Sequence, residues 1–141
     1  MKTLYTTAAT ATGGRNGKVV SENGVLNIEV KMPKGLGGLN DDFLNPEMLF
    51  AGGYAACFDS ALNMIIKMEK IKTGMTSVTA HVSIGQNETG GFSLAAKLHA
   101  NIPGVTIEEA QSLIEKAHAV CPYSNATRGN MEVKLTVSNN D

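Results

Sequence analysis

Tryptophan is absent from this chain, and its 141 residues include only four phenylalanines and three tyrosines. So few aromatic rings offer no platform on which single-stranded nucleic acid could stack. Charge of one sign is not in excess either: 12 Lys and Arg stand against 13 Asp and Glu, a formal net charge of −1. Without a basic patch there is no electrostatic case for a nucleic-acid partner. The best apolar run is interrupted by Lys67, Glu69, Lys70 and Lys72 before it reaches the ~20 residues that a bilayer requires, so no membrane span is expected. Residues 1–10 carry one lysine and lack the continuous apolar segment of a secretory signal, and a cytoplasmic protein is expected. Cysteine is scarce, with two in the whole chain. In a reducing compartment such a pair is not a permanent staple, so its chemistry becomes the question.

The length suits one domain over residues 1–141, large enough to bury about two-thirds of its unfolded surface. Short strands are expected over residues 4–12, 18–21 and 25–32, the last two joined by an Asn23-Gly24 turn. Residues 33–45 form a Gly-rich aperiodic loop carrying Leu36, Leu39, Phe43 and Leu44. A loop this apolar either packs on the core or lines a pocket for an apolar ligand. Asn45-Pro46-Glu47 is a helix start, with an Asn cap, proline at the first helical position and an acid near the positive end of the dipole. The helix should reach about residue 70 with its first half buried nearly all round. The small residues Gly52, Gly53, Ala55 and Ala56 would let another helix cross it closely.

Alternation of Val78, Ala80, Val82 and Ile84, then of Phe92, Leu94, Ala96, Leu98 and Ala100, around a Gly90-Gly91 turn, predicts two antiparallel strands with one wet face. Thr106 and Glu109 form a capping box for a second helix whose apolar stripe is Ala110, Leu113, Ile114, Ala117, Val120 and Cys121. Pro122 stops it. A loop over residues 123–130 and a last strand from Met131 to Val137 complete the order βββ-α-ββ-α-β, an α+β fold of antiparallel sheets packed around central helices.

Cys57 and Cys121 lie 64 positions apart with no C-x-x-C motif. Two inert buried thiols, a functional pair and a metal site all remain open on spacing alone. Each cysteine falls on the apolar stripe of its own helix, so packing the stripes could bring the sulfurs within disulfide reach. His81 and His99 occupy the polar registers of their strands. His118, three residues before Cys121 on a helix, could lower a thiol pKa or share a metal. No second ligand stands at metal spacing, so neither a metal nor a cofactor is expected. Arg15 in a glycine-rich turn and Glu47 in a first helical turn each have a bland local explanation.

Taken together, the Ala-Thr-Ala-Thr-Gly-Gly-Arg run ending at Arg15, Asn45-Pro46-Glu47, the segment around Ala55-Ala56-Cys57-Phe58 and Val120-Cys121-Pro122-Tyr123-Ser124-Asn125 resemble the organic hydroperoxide resistance proteins of the OsmC-like thiol peroxidases. The resemblance spans roughly residues 4–137. It implies an OsmC-like fold in an intertwined homodimer, with Cys57 as peroxidatic cysteine, Cys121 as resolving cysteine, Arg15 as the activating cation and Glu47 as the carboxylate that orients it. It further implies organic hydroperoxides as substrate and a lipoyl-bearing or other dithiol reductant. A substrate mouth formed by Leu36, Leu39, Phe43, Leu44 and Met48 would then favour alkyl or fatty-acid hydroperoxides. A redox-sensing or ligand-binding module using the same disulfide is the alternative. Glu47 and Cys57 are ten residues apart, ~15 Å along one straight helix. Unless that helix breaks at Gly52-Gly53, the carboxylate serving Cys57 comes from a second subunit.

Overall fold

Strand pairing in the first third starts from the Asn23-Gly24 turn. Gly24 takes a positive φ of 75°, and the Asn23 side chain accepts hydrogen bonds from Ser21 Oγ and the Val25 amide. The computed structural model describes residues 1–141, which divide into two compact units, Met1–Leu49 and Phe50–Asp141.

In the first unit, β1 (Ala9–Thr12), β2 (Gly17–Ser21) and β3 (Asn27–Val30) form an antiparallel sheet in the order β1-β2-β3. β1 and β3 are shorter than the sequence predicts, and β2 begins one residue earlier. β2 ends at Ser21 opposite Ala9, so residues 4–7 have no ladder partner, while the Leu26 amide is taken by Ser21 Oγ within the turn. Val30 is the unit's one buried residue. Part of the expected loop winds into a short 3₁₀ turn, Lys34–Leu36.

Helix α1 (Pro46–Met68) runs unbroken through Gly52-Gly53. Asn45 caps it, its side chain accepting from the Met48 amide at 2.8 Å. An 18-residue window of α1 has a mean hydropathy of 1.3, so the helix meets the length and composition of a membrane span, a test that core helices also pass; Lys67, Glu69, Lys70 and Lys72 lie at or beyond its end and do not interrupt it. Nor is its first half buried all round, for Met48, Gly52 and Ala56 are exposed and burial concentrates at Tyr54, Phe58, Ala61, Leu62, Ile65 and Ile66. That second stripe makes α1 the core helix of the second unit.

Against it stand β4 (Ser77–Gln86) and β5 (Phe92–Asn101), antiparallel over their full length, then α2 (Ile107–Val120), α3 (Pro122–Thr127) and β6 (Val133–Ser138). Leu98, Ile102, Leu113 and Ile114 fill the core with Tyr54, Phe58 and Leu62; full burial of each such aliphatic side chain contributes about 1.5–3 kcal/mol. The capping box of α2 is present, with Thr106 Oγ1 accepting from the Glu109 amide and Glu109 accepting from the Thr106 amide. Two details differ from expectation. β6 pairs parallel to β5, because the two helices between them supply the long crossover that parallel strands require. Residues 122–127 are helical rather than loop, because proline, which cannot continue α2, is well suited to the first position of a new helix.

Candidate active site

The thiol pair is built where α1 meets the α2–α3 corner. Cys121 is both the last cap of α2 and the first of α3, and it is fully buried; Cys57 is half-buried. Their sulfurs lie 3.7 Å apart with the Cys121 thiol directed at Cys57, and both are free thiols. Closing to the ~2.05 Å of a disulfide needs only a small movement. Burial pushes the Cys57 thiol pKa up, a hydrogen bond from the Tyr123 backbone pulls it down, and the Cys121 thiol raises it again. Within this unit, then, Cys57 has a neighbour to react with, while burial disfavours its nucleophilic thiolate form.

Of the small residues of α1, Gly53 is explained by Tyr123, while a Cβ on Gly52 would meet nothing within 4 Å. A Cβ on Gly53 would lie 2.8 Å from the Tyr123 hydroxyl, so it is an aromatic ring from α3 and not a crossing helix that comes close. Phe50 stacks on Tyr54, and Tyr123 meets Tyr54 edge-on at 5.7 Å.

In the first unit Arg15 and Glu47 form a bidentate ion pair, Nη1 to Oε2 at 2.8 Å and Nη2 to Oε1 at 2.5 Å. Backbone pairing brings together two residues 32 positions apart. Gly17 pairs with Val30, Val30 bridges to Leu44, and the Lys31 amide donates to the Leu44 carbonyl, which sets the start of α1 beside the turn that carries Arg15. That turn needs Gly13 and Gly14 at positive φ and Gly17 without a side chain, since a Cβ there would collide with the Thr12 carbonyl. Hydrogen bonding to Glu47 raises the Arg15 pKa, and hydrogen bonding to Arg15 holds Glu47 below the usual carboxylate range against the opposing effect of burial. Two of the five guanidinium N–H donors are used, so the others remain free to meet a second anion.

The OsmC-like protein family matches residues 39–136. The chain is an OsmC-like protein. It is 49% identical over 138 residues to an organic hydroperoxide resistance protein of Xanthomonas axonopodis pv. citri, covering 97% of this chain and 96% of the other. It is 45% identical to organic hydroperoxide resistance protein OhrA of Bacillus subtilis, with 96% of each covered. Its fold superposes with a TM-score of 0.96 on the crystal structure of an organic hydroperoxide resistance protein from Elizabethkingia anophelis, at 78% identity and covering 99% and 100% of the two chains.

In this OsmC-like chain the five residues expected to form a substrate mouth are not all together. Leu39 and Phe43 line a cavity of about 360 Å³ with Lys31 and Met32, and Lys31 Nζ sits 5.9 Å from the centre of the Phe43 ring. Leu36 and Leu44 are half-buried elsewhere, and Met48 is 48% exposed on α1. Sequence reasoning missed a second cavity of about 520 Å³, flanked by Phe50, Phe92, Leu94 and Tyr123; Phe92, at 64% exposure where its strand starts, is the signal that could have found it. His99 binds Thr136 and Ser138 across the sheet, while His118 Nδ1 is paired with Ser124 Oγ at 2.8 Å. Burial, then the nearby Arg128, lowers the His118 pKa. No three His, Cys, Asp or Glu side chains cluster closely enough to hold a metal ion.

Proposed function

We propose that this chain is a cysteine-based thiol peroxidase that reduces organic hydroperoxides to alcohols. The observation that carries the reading is the 3.7 Å approach of a half-buried Cys57 sulfur to a fully buried Cys121 thiol, an attacking group with its resolving partner already in contact. The Cys57 thiolate attacks the outer peroxide oxygen: the O–O bond breaks, RO⁻ leaves as ROH after taking a proton, and sulfur becomes a sulfenic acid. Attack by Cys121 forms the disulfide and releases water. An external dithiol, lipoyl-bearing in this reading, then reduces the disulfide by exchange and is itself oxidised. The names of relatives at 45–49% identity point to the same substrate class.

Because burial raises the Cys57 pKa, the reaction requires a cation to hold the thiolate and to stabilise the departing alkoxide. Arg15 is assigned that role, aimed by its bidentate pair with Glu47. Since α1 is continuous from Pro46 to Met68, ten residues of helix rise put ~15 Å between Glu47 and Cys57 along its axis. The pair is therefore contributed by a second copy in a homodimer. Two features support that assembly: the first unit buries only Val30, and α1 exposes Met48, Gly52 and Ala56, both of which leave apolar surface for a partner to cover. Leu36, Leu39, Phe43, Leu44 and Met48 remain the proposed lining for the alkyl tail, supported by the exposure of Leu39 and Phe43. Two free cysteines suit a reducing cytoplasm.

Consumption of cumene hydroperoxide and of hydrogen peroxide, with a dihydrolipoyl reductant, tests the reading. Multiple turnovers favouring the organic peroxide and lost in Cys57→Ser are expected. A single stoichiometric oxidation with the reductant present would instead make the chain a redox sensor.

A further inference from the structure

Behind the two sulfurs lies a chain of buried hydroxyls that the peroxidase chemistry does not use. Tyr54 and Ser124 are fully buried and Thr127 is 5% exposed. Tyr54 Oη lies 2.9 Å from Ser124 Oγ and 3.2 Å from Thr127 Oγ1, Thr127 Oγ1 donates to the Ser124 carbonyl, and Ser124 Oγ meets His118 Nδ1. One proton arrangement satisfies every bond: His118 Nδ1–H donates to Ser124, Ser124 to Tyr54, Tyr54 to Thr127, and Thr127 to the Ser124 carbonyl. The reverse direction loses one of the four, because the single Thr127 proton cannot serve both Tyr54 and the carbonyl.

The placement of these groups relates them to the thiols. Tyr54 is three residues before Cys57 and so shares its side of α1. Ser124 is three residues after Cys121, and His118 three before it. Arg128 fastens the same corner, donating to the His118 carbonyl and to Asn125 Oδ1. The geometry points to Tyr54 as a positioning residue for disulfide formation: through Ser124 and Thr127 its hydroxyl ties the helix bearing Cys57 to the corner bearing Cys121. Apolar residues of the same shape would fill this core equally well, but they would not fix its register, whereas directional bonds between buried groups select one arrangement. The assignment of a reaction step to that arrangement rests on the peroxidase reading above.

Tyr54→Phe removes the hydroxyl and keeps the ring against Phe50 and Tyr123. Two measurements on the full-length variant test the role. In a glutathione redox buffer the protein dithiol and glutathione disulfide exchange to protein disulfide and two glutathione thiols, so the equilibrium reports how well the two sulfurs are held together without any peroxide. The effective concentration of the pair should fall about 30-fold, the equivalent of the two hydrogen bonds that the Tyr54 hydroxyl makes. With cumene hydroperoxide and no reductant, oxidation of Cys57 should proceed at the wild-type rate while intact-mass spectrometry shows product diverted from disulfide to Cys57 sulfinic acid. A structural role alone would lower the melting temperature and leave both the exchange equilibrium and the product ratio unchanged; that result overturns the inference. Thr127→Val, which removes the bonds of Thr127 to Tyr54 and to the Ser124 carbonyl but leaves Tyr54 bonded to Ser124, should move both readouts in the same direction by less, and it carries the test if Tyr54→Phe fails to fold. If the wild-type protein consumes no hydroperoxide but the exchange equilibrium still falls in Tyr54→Phe, the peroxidase reading fails and the positioning role stands.

Discussion

The two halves of the proposed chemistry are built in opposite ways. In the second unit the sulfurs are held by packing: Cys121 is part of a core with Phe58, Leu62, Leu113 and Ile114, and rigid helices fix its distance to Cys57. In the first unit the charge pair is held by backbone pairing and glycine turns, and Val30 is the only buried residue there. Sulfur chemistry depends on distance at the scale of an ångström and gains from a rigid support. A guanidinium works at longer range and can be carried on a segment of low local stability, of the kind from which moving loops are drawn.

The largest expected effect comes from attacking the packed half. Leu62→Ala should cost about 2–5 kcal/mol, read by urea unfolding. Because Leu62 lies in the same core as Cys121, the variant should also slow disulfide formation; equal rates would mean the core does not set the sulfur approach. Next comes the charged half. Arg15→Ala should lower urea stability by about 1 kcal/mol or less yet lower the rate of Cys57 oxidation about 100-fold, the scale of one lost electrostatic stabiliser. Ultraviolet thiolate absorbance should then show Cys57 titrating above the ordinary ~8.5, because burial outweighs the Tyr123 backbone hydrogen bond that opposes it. Arg15→Lys should recover only part of the loss, to about tenfold below wild type, since an ammonium cannot reproduce the bidentate fork. Full recovery would mean that charge alone, and not the pair with Glu47, does the aiming.

The same contrast decides what could be read from the sequence. The packed half is legible where its signals are local: the Thr106–Glu109 box and the alternation in β4 and β5 appear as expected, as does the Asn45 cap in the first unit. Pro122 is ambiguous because one residue type can both stop a helix and start one, so the sequence predicts a loop where α3 forms. The parallel pairing of β6 and the Tyr54–Ser124 bond join residues far apart in sequence, 70 positions in the second case, and no periodicity encodes such partners. For the site, stripe positions of the two cysteines suggested that they could meet, but left inert and metal-binding readings open. The pairing of Arg15 with Glu47 followed from a family resemblance alone. Its physical route, Gly17 to Val30 to Leu44, runs through a bridge outside any regular strand.

The smallest effect isolates the charge pair from the thiols. Arg15 holds the Glu47 carboxyl below its usual range, so the folded chain resists protonation of this group more than the unfolded chain does. The resulting stabilisation is fully present above the unfolded glutamate value of ~4.3 and is lost as pH falls through the depressed folded value. With side-chain exposures of 29% for Arg15 and 14% for Glu47, solvent still screens the pair, and its worth is about 1 kcal/mol or less. Urea titrations of wild type and Glu47→Gln between neutral and acid pH should therefore differ at neutrality by about that amount and converge as the pH drops below the carboxylate range. A difference independent of pH would assign the contribution of Glu47 to helix capping geometry rather than to its ion pair. If the difference instead grew on acidification, the assigned direction of the Glu47 shift would be wrong, and with it the claim that the guanidinium keeps this carboxylate ionised in place.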